Sequence, residues 1–432
     1  MARRLNASDP GFDVAFENLL SLKREMSEDV DRAASEIIAD VRQRGDAALM
    51  DLTKRFDRFD PAEAGGLRVS EAEIDAAVAA CPKDQIAALE LARDRVVAYH
   101  ERQKPEDLRY TDEAGVELGW RWGAVEAAGL YVPGGLASYP SSVLMNALPA
   151  KVAGVERLVM TAPTPDGKAN PLVLAAARLA GVDEIHRVGG AQAVAALAWG
   201  TETIRPVDVV VGPGNAYVAA AKRLVFGRVG IDSIAGPSEI LVVADAENNP
   251  DWIAADLMSQ AEHDPSAQSI LITDDAAFAD AVAEAFSRIL KTTPRAEIAG
   301  AAWRENSAII LVKDLAASTS LIDRIAPEHL ELAVADPEAL LGNIRNAGAV
   351  FLGRWTPEAI GDYVAGPDHV LPTARAARYA SGLSVLDFMK RTSIVRCTEE
   401  SLRAIGPAAA TLADAEGLTA HALSVRVRMK KS

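Results

Sequence analysis

The stretch SQAEHDP, residues 259–265, places an amide, two carboxylates and an imidazole within seven positions. Gln260 and His263 are three apart, so a helix would set them on one face, where both could reach one ion. The same pattern suits a solvated polar face, and two donors do not complete a metal site. Further nitrogen ligands must come from the six histidines His100, His186, His263, His329, His369 and His421. His100 lies in a charged helical stretch and His186 in a strand-like one, which reads both as structural.

APEHLEL places Glu328 beside His329 ahead of a strand-like LEL. An imidazole titrating near neutrality can take a hydroxyl proton, and an adjacent carboxylate can activate water. Spacing alone favours a plain surface pair. GDYVAGPDHVLPT reads as a loop in which Asp362 follows a glycine, either as an oxygen ligand for a divalent ion or as an ordinary turn or capping residue. In AEGLTAH, Glu416 and His421 are five apart, off a common helical face, in a tail that is either solvated or docked into a site. GPGNAY begins like a dinucleotide fingerprint but has Tyr217 where the third glycine belongs.

These groups need a frame. Residues 1–110 read as helix: Val30, Ala33, Ala34, Ile37, Ile38 and Val41 form one stripe with Gly45 as a C-terminal cap, and Ser70 with Glu73 has capping-box spacing. From about residue 120, GLYVPGG, RLVMTAP, EIHRVGG and DVVVGPGN alternate with Ala-rich helical segments. A second set follows in SEILVVAD, QSILITDD, SAIILVKD, LELAVAD and GAVFLG. Alternation of this kind predicts two open parallel-sheet α/β domains facing each other across a cleft, with VPGG, VGGAQ, GPGN and AGPSE gathered beyond carboxyl ends of strands. After residue 381 the chain reads as helix again.

Composition bounds the function. A 49% hydrophobic and 25% charged chain of 432 residues is a folded globular protein with more than one domain. Sixty-one acidic against 45 basic residues leave a formal charge of −16, which disfavours nucleic acid as a partner. No apolar run has membrane-spanning length, and MARRLNASDP has no apolar stretch behind it to make a signal peptide. Cys81 and Cys397 are not paired in any motif and read as small buried apolar residues, which fits a reducing cytoplasm.

Taken in order, GPSEI, SQAEHDP, APEHLEL, GDYVAGPDHVLPT, SGLSVLDFMKRTS and AEGLTAH resemble the histidinol dehydrogenase family over nearly the whole chain. The resemblance implies an α/β fold of two facing Rossmann-like open parallel-sheet domains, of the aldehyde-dehydrogenase-like superfamily, with small helical N- and C-terminal segments. It implies zinc held by Gln260, His263, Asp362 and His421, with Glu262 not a ligand. His329 matches the general base and Glu328 the residue that activates water. Substrate contacts fall on Ser238, Gln260, His263, His329, Asp362, Glu416 and His421, and NAD contacts on Tyr131, Gln192 and Asn215. The implied reaction takes L-histidinol through L-histidinaldehyde to L-histidine with two NAD, the last two steps of histidine biosynthesis. Asp368 stands where the family more often has Asn, an added charge that could act on Asp362; His369 reads as structural.

The same resemblance implies a cytoplasmic homodimer with shared active sites, in which the C-terminal segment supplies Glu416 and His421 to its partner. The expected limits are a helical segment 1–24, a discontinuous zinc-bearing domain of 25–110 and 238–381, an inserted NAD-contacting domain of 111–237, and a C-terminal segment of 382–432. One rival is a zinc-dependent dehydrogenase of another alcohol, such as a sulfonated propanediol, against which Glu416 argues because a carboxylate opposes a sulfonate. A zinc hydrolase and a catalytically silent metal-binding scaffold are the rivals from other classes; NAD requirement separates the first from a dehydrogenase, and the intact Glu328–His329 pair argues against the second.

Overall fold

The computed structural model describes residues 2–21, 28–134, 139–234 and 236–430. In chain order the strands are β1 (Arg3–Asn6), the hairpin β2 (Leu108–Thr111) and β3 (Glu117–Ala124), then β4 (Ala127–Tyr131), β5 (Arg157–Thr161), β6 (Glu184–His186), β7 (Val209–Val211) and β8 (Gly230–Ile231). A second run holds β9 (Glu239–Ala244), β10 (Gln268–Thr273), β11 (Ala308–Leu311), β12 (His329–Ala333) and β13 (Ala349–Leu352), and β14 (Met389–Arg396) comes last. Each apolar run singled out in the sequence contains one strand of a parallel sheet. In β4, β9, β10 and β12 every residue is buried, as expected where helices cover both faces of a sheet.

The first sheet has the order β6-β5-β4-β7-β8 and the second β1-β11-β10-β9-β12-β13, all neighbours parallel. A third, antiparallel sheet, β14-β3-β2, stands apart from both. The predicted helix stripe is observed in Glu28–Arg44, which buries Ala34, Ile38 and Val41, and Gly45 follows with φ of +55°. Ser70 and Glu73 close the capping box that starts helix Glu71–Ala80.

Three expectations about organisation change. The helices of residues 28–100 pack on the five-stranded sheet rather than on the zinc-bearing one: Ala34, Ile38, Leu49 and Leu52 join the core with Val159 and Val194, while Ile74, Leu89 and Val96 join that with Leu144 and Leu158. Segment 1–24 is not purely helical, because β1 adds a sixth strand beside β11, and Phe12, Phe16 and Leu19 pack on the same sheet. The boundary expected at residue 24 falls outside the described residues. Segment 382–432 contains β14, whose mostly exposed MKRTSIVR carries no buried face to betray a strand. The cysteines differ as well. Cys81 is half-buried and Cys397 exposed, both free thiols.

At the carboxyl end of β7 the chain turns through Gly212, with φ of +115°. A Cβ there would fall 2.1 Å from the Tyr131 carbonyl oxygen. The buried Lys222 ammonium donates to the Gly212 carbonyl at 2.9 Å and pairs with Asp232, whose Oδ2 accepts from the Gly212 N–H at 2.8 Å. Both backbone groups of the turn are thereby held by one buried ion pair. Gly212→Ala should lower unfolding free energy by about 3 kcal/mol from the disallowed φ and the overlap. Urea denaturation checks this; an unchanged midpoint would show that the turn can rearrange.

Candidate active site

The amino end of β12 is where the chemistry gathers. Helix Ser318–Ile325 stops at Ala326 with φ of +47°, and the next two residues deliver Glu328 and then His329 as the first residue of the strand. Gly348 lets the neighbouring segment pass: a Cβ on it would lie 2.5 Å from the Glu328 carbonyl oxygen. Gln260 is in the last turn of helix Pro250–Ala261, capped by Asn249, and the His263 N–H donates to the Gln260 carbonyl at 3.1 Å, so the chain coils tightly between the two side chains. Ser238, half-buried, precedes β9. The described part of AGPSE, residues 236–239, therefore lies at the amino end of its strand, not beyond a carboxyl end as expected; Ala235 lies outside the described residues.

Asp362 also sits differently from the loop expected for it. It belongs to helix Glu358–Tyr363, which can press on β13 because residue 361 is glycine; a Cβ there would be 2.4 Å from the Phe351 ring. His369 acts as a structural strut: Nδ1 is 2.9 Å from the Asp362 carbonyl oxygen and Nε2 3.2 Å from Ser142 Oγ on the helix after β4.

His329 is the hub. Its Nδ1 lies 3.0 Å from the Glu239 carbonyl oxygen, 3.2 Å from Gln260 Nε2 and from Glu358 Oε1, and 3.7 Å from Glu328 Oε2. Donation of the Nδ1 hydrogen to the Glu239 carbonyl leaves Nε2 as the basic atom, and among the described residues Nε2 has no hydrogen-bond partner, with Asp362 Oδ1 at 3.6 Å. Burial works to keep His329 neutral, but Glu358, Glu328 and Asp362 around it push its pKa well above the usual value. Burial raises Glu328 to about 7, with the His329 charge pulling the other way, so this carboxyl can give or take a proton near neutrality.

Burial likewise opposes ionisation of Asp362, yet the His329 ring brings its pKa below the ordinary carboxylate value. His263 is held neutral chiefly by burial, while the Asp362 charge pulls the other way. A neutral imidazole, a carboxylate and the fully buried Gln260 Oε1, which has no partner, are the donor types a divalent zinc ion takes. The carboxyls of Glu328, Glu358 and Asp362 outnumber the one imidazole among them, an imbalance that a cation relieves. One donor atom each from His329, Glu358 and Asp362 lies within 4.8 Å of the others. Of these, only Asp362 belongs to the expected ligand set; His329 is engaged at Nδ1 by the Glu239 carbonyl.

Glu416 and His421 are not brought to this cluster by their own chain. Both are exposed on the hairpin of helices Glu399–Ala415 and Thr419–Met429, with Gly417 at φ +74° between them. Glu358 is the residue that sequence reasoning missed. Its signal was its position one helical turn before Asp362. Behind it Asp256, raised by burial to about 6, hydrogen-bonds the buried Glu331.

At the five-stranded sheet, Tyr131 ends β4, Gln192 lies in helix Gly190–Trp199 after β6, and Asn215 follows β7. The strand order reverses between β4 and β7, the place where open α/β sheets take nucleotides. Tyr131 is buried, which pushes its pKa up to about 12, and its Oη accepts from the Gly190 N–H at 3.1 Å. Gln192 is buried, and the exposed Asn215 caps helix Ala216–Val225 through Oδ1, leaving its amide nitrogen free of that bond. A neighbouring cavity of about 320 Å³ is lined by Val132, Pro133, Pro163, Thr164 and Lys168, and by none of these three residues.

Two parallel-sheet units with a cluster of acid–base groups and candidate metal donors define an α/β protein of the enzyme class. The sequence model of the family described as histidinol dehydrogenase matches residues 21–429. Histidinol dehydrogenase of Brucella suis is 65% identical over 429 residues, covering 99% of this chain and 100% of its own. That of Rhodospirillum rubrum is 66% identical over 432 residues, covering 100% and 99%. The crystal structure of histidinol dehydrogenase from Elizabethkingia anophelis superposes with a TM-score of 0.94 at 35% identity, covering 99% of this chain and 98% of that one. The chain belongs to the histidinol dehydrogenase family, and it is an oxidoreductase.

Asp368 departs from the expected role of added charge near Asp362. Its buried carboxyl accepts from the Val370 N–H at 2.8 Å and lies 3.9 Å from His100 Nε2. Burial, with Asp387 and Asp232 nearby, raises its pKa well above the usual value and so favours the neutral form, the one that resembles Asn. A raised folded-state pKa means that its contribution to stability is complete below the unfolded pKa of about 4 and is lost as pH rises, by up to about 1.4 kcal/mol per pH unit. Asp368→Asn should remove that loss and gain on the parent as pH climbs from 5 to 8. Parallel stability–pH curves would show an ionised Asp368.

Proposed function

We propose that this chain catalyses the four-electron oxidation of L-histidinol through L-histidinaldehyde to L-histidine, with zinc and NAD. The carrying observation is the cluster in which the His329 imidazole, a Glu328 carboxyl poised near neutrality, Asp362 and the unpartnered Gln260 Oε1 meet at one strand end among the described residues. Gln260, His263 and Asp362 would hold zinc together with His421 of a second subunit. When bound, zinc would fix the substrate through its nitrogen atoms, and NAD, held near Tyr131, Gln192 and Asn215, would accept hydride.

His329 Nε2 takes the hydroxyl proton of the alcohol in the first oxidation. Glu328 takes a proton from the water that adds to the aldehyde, and His329 serves again on the hydrate. Ser238 at the head of β9 would contact the substrate, and Glu416 would face its cationic end. A sulfonated propanediol is not favoured, because the same carboxylate would oppose it and the relatives above are histidinol dehydrogenases.

The exposed position of Glu416 and His421, away from the cluster of their own chain, supports a homodimer reading. Their hairpin exposes Leu412, Leu418, Leu423 and Val427, an apolar stripe that a second copy would cover. We place the enzyme in the cytoplasm on its two free thiols; among the described residues no helix is long and apolar enough to cross a membrane.

Purified protein should form two NADH per histidinol consumed, lose the activity to a chelator and regain it with zinc. Absence of NADH with zinc-loaded protein would remove this reading. Sharing of the site is tested by mixing His421→Ala subunits with Glu328→Gln subunits, each inactive alone. Random re-pairing should restore about a quarter of wild-type activity, because half the dimers then hold one intact site. No recovery, with subunit exchange verified, would place both residues in one chain's site.

A further inference from the structure

Counted from β4 in chain order, the strands of the first parallel sheet lie third, second, first, fourth, fifth, the arrangement of open sheets that bind dinucleotides. In such sheets an acid beyond the second strand takes the 2′-hydroxyl of the adenosine ribose, whereas an arginine there admits a 2′-phosphate. Here the second strand is β5, which runs on into APTPDGK, residues 162–168. The acid of that turn, Asp166, is already engaged: Arg58 donates to it from Nε at 2.9 Å and from Nη2 at 2.8 Å.

Asp57 occupies the place from another element. It ends helix Asp46–Asp57, lies at the Thr164 N–H of the turn, and is close enough to Tyr131 for its charge to act on the phenol. The residue is 8% exposed, and Oδ2 meets no hydrogen-bond partner among the described residues. Thr164, also buried, has an unpartnered Oγ1 and lines the cavity of about 320 Å³ beyond β4 and β5. The segment is fixed against the turn on both sides of Asp57's neighbour Arg58, since the Phe59 ring covers Gly167, where a Cβ would lie 2.7 Å from it. A buried carboxylate oxygen without a donor, beside a cavity and an expected NAD contact, matches a ligand that brings hydroxyl groups. A ribose brings them; a phosphate dianion brings only acceptors and charge.

Resting on the functional reading above, we propose that Asp57 is the specificity-determining residue for the dinucleotide: its carboxylate takes the 2′-hydroxyl of the adenosine ribose and repels a 2′-phosphate in the same place, so NAD is chosen over its 2′-phosphorylated form. The exposed Lys168 in the cavity wall is the cation to which a 2′-phosphate would turn once that charge is removed.

The test is direct binding of NADH and NADPH to the zinc-loaded protein, read by nicotinamide fluorescence. Burial raises the Asp57 pKa, so the titrations are run at about pH 8.5, far above the ordinary carboxylate value. The wild type should bind NADH on the order of 10²-fold more tightly than NADPH. Asp57→Asn should weaken NADH about 10-fold and tighten NADPH about 10-fold, so that the preference all but disappears. An unchanged preference, an equal loss of both dinucleotides as a merely structural Asp57 would give, or a wild type that binds both alike overturns the proposal. If the variant does not fold, the wild type carries the test: 5′-AMP should displace NADH at concentrations about 10-fold below those needed of 2′,5′-ADP, and equal displacement overturns the idea. Binding of neither dinucleotide removes this inference and the functional reading together. A wild type that binds NADH but oxidises no histidinol removes the histidinol reading alone, whereas an active wild type whose preference ignores Asp57 removes only this inference.

Discussion

The buried Glu328 and Glu358 and the half-buried Asp362 surround one imidazole at the start of β12, and the excess of carboxyl groups there governs the surrounding architecture. Carboxylates taken out of water must be neutralised, hydrogen-bonded or matched by a cation. This structure uses each remedy in a different place. Glu328 receives the Glu239 N–H at 2.8 Å, Glu358 lies against the His329 ring, and Asp362 faces that ring's other nitrogen near Gln260 and His263. The residual imbalance is one that a bound cation would relieve, and it raises the pKa of His329.

Holding such a cluster requires rigid supports from both units. Strand β12 pairs with β9 from His329 onward, so the base is fixed by a sheet ladder and not by a loop. The 369 imidazole joins the Asp362 carbonyl to Ser142, whose helix follows β4 of the other sheet, and Thr373 Oγ1 accepts from the Gly236 N–H between the two units. The amino ends of the strands in one sheet thus meet residues carried by the carboxyl ends of strands in the other. On that second side the buried Lys222–Asp232 pair fixes Gly212, giving the turn after β7 a defined shape beside Tyr131. Acid–base groups and nucleotide-type turns are contributed by different sheets.

Much of this was legible before any coordinates. The strand runs, the capping box at Ser70 and the cap at Gly45 are local features, set by side-chain periodicity and backbone propensity within a few residues. Strands β1 and β14 were not legible. One is a four-residue edge strand, and the other exposes most of its residues, so neither carries the alternation that marks a half-buried strand. Helix Glu358–Tyr363 escaped because it is short and interrupted by Gly361, whose value lies in its contact with Phe351. The packing of residues 28–100 on the five-stranded sheet escaped for a similar reason: an amphipathic stripe announces that a helix packs, but not on which of two sheets.

The division between sequence and structure follows from the range of the interactions concerned. By itself the sequence determined which elements form and which residue types are available, since Gln260 with His263, Glu328 with His329 and the ordered motifs are properties of neighbours along the chain. Only the tertiary structure decided that Gln260, Glu328, His329, Glu358 and Asp362 share one site, that Asp368 faces His100 with a carboxyl whose pKa burial raises, and that Glu416 and His421 stand on an exposed hairpin. Burial and charge coupling depend on groups separated by scores of residues, and no spacing rule carries that information.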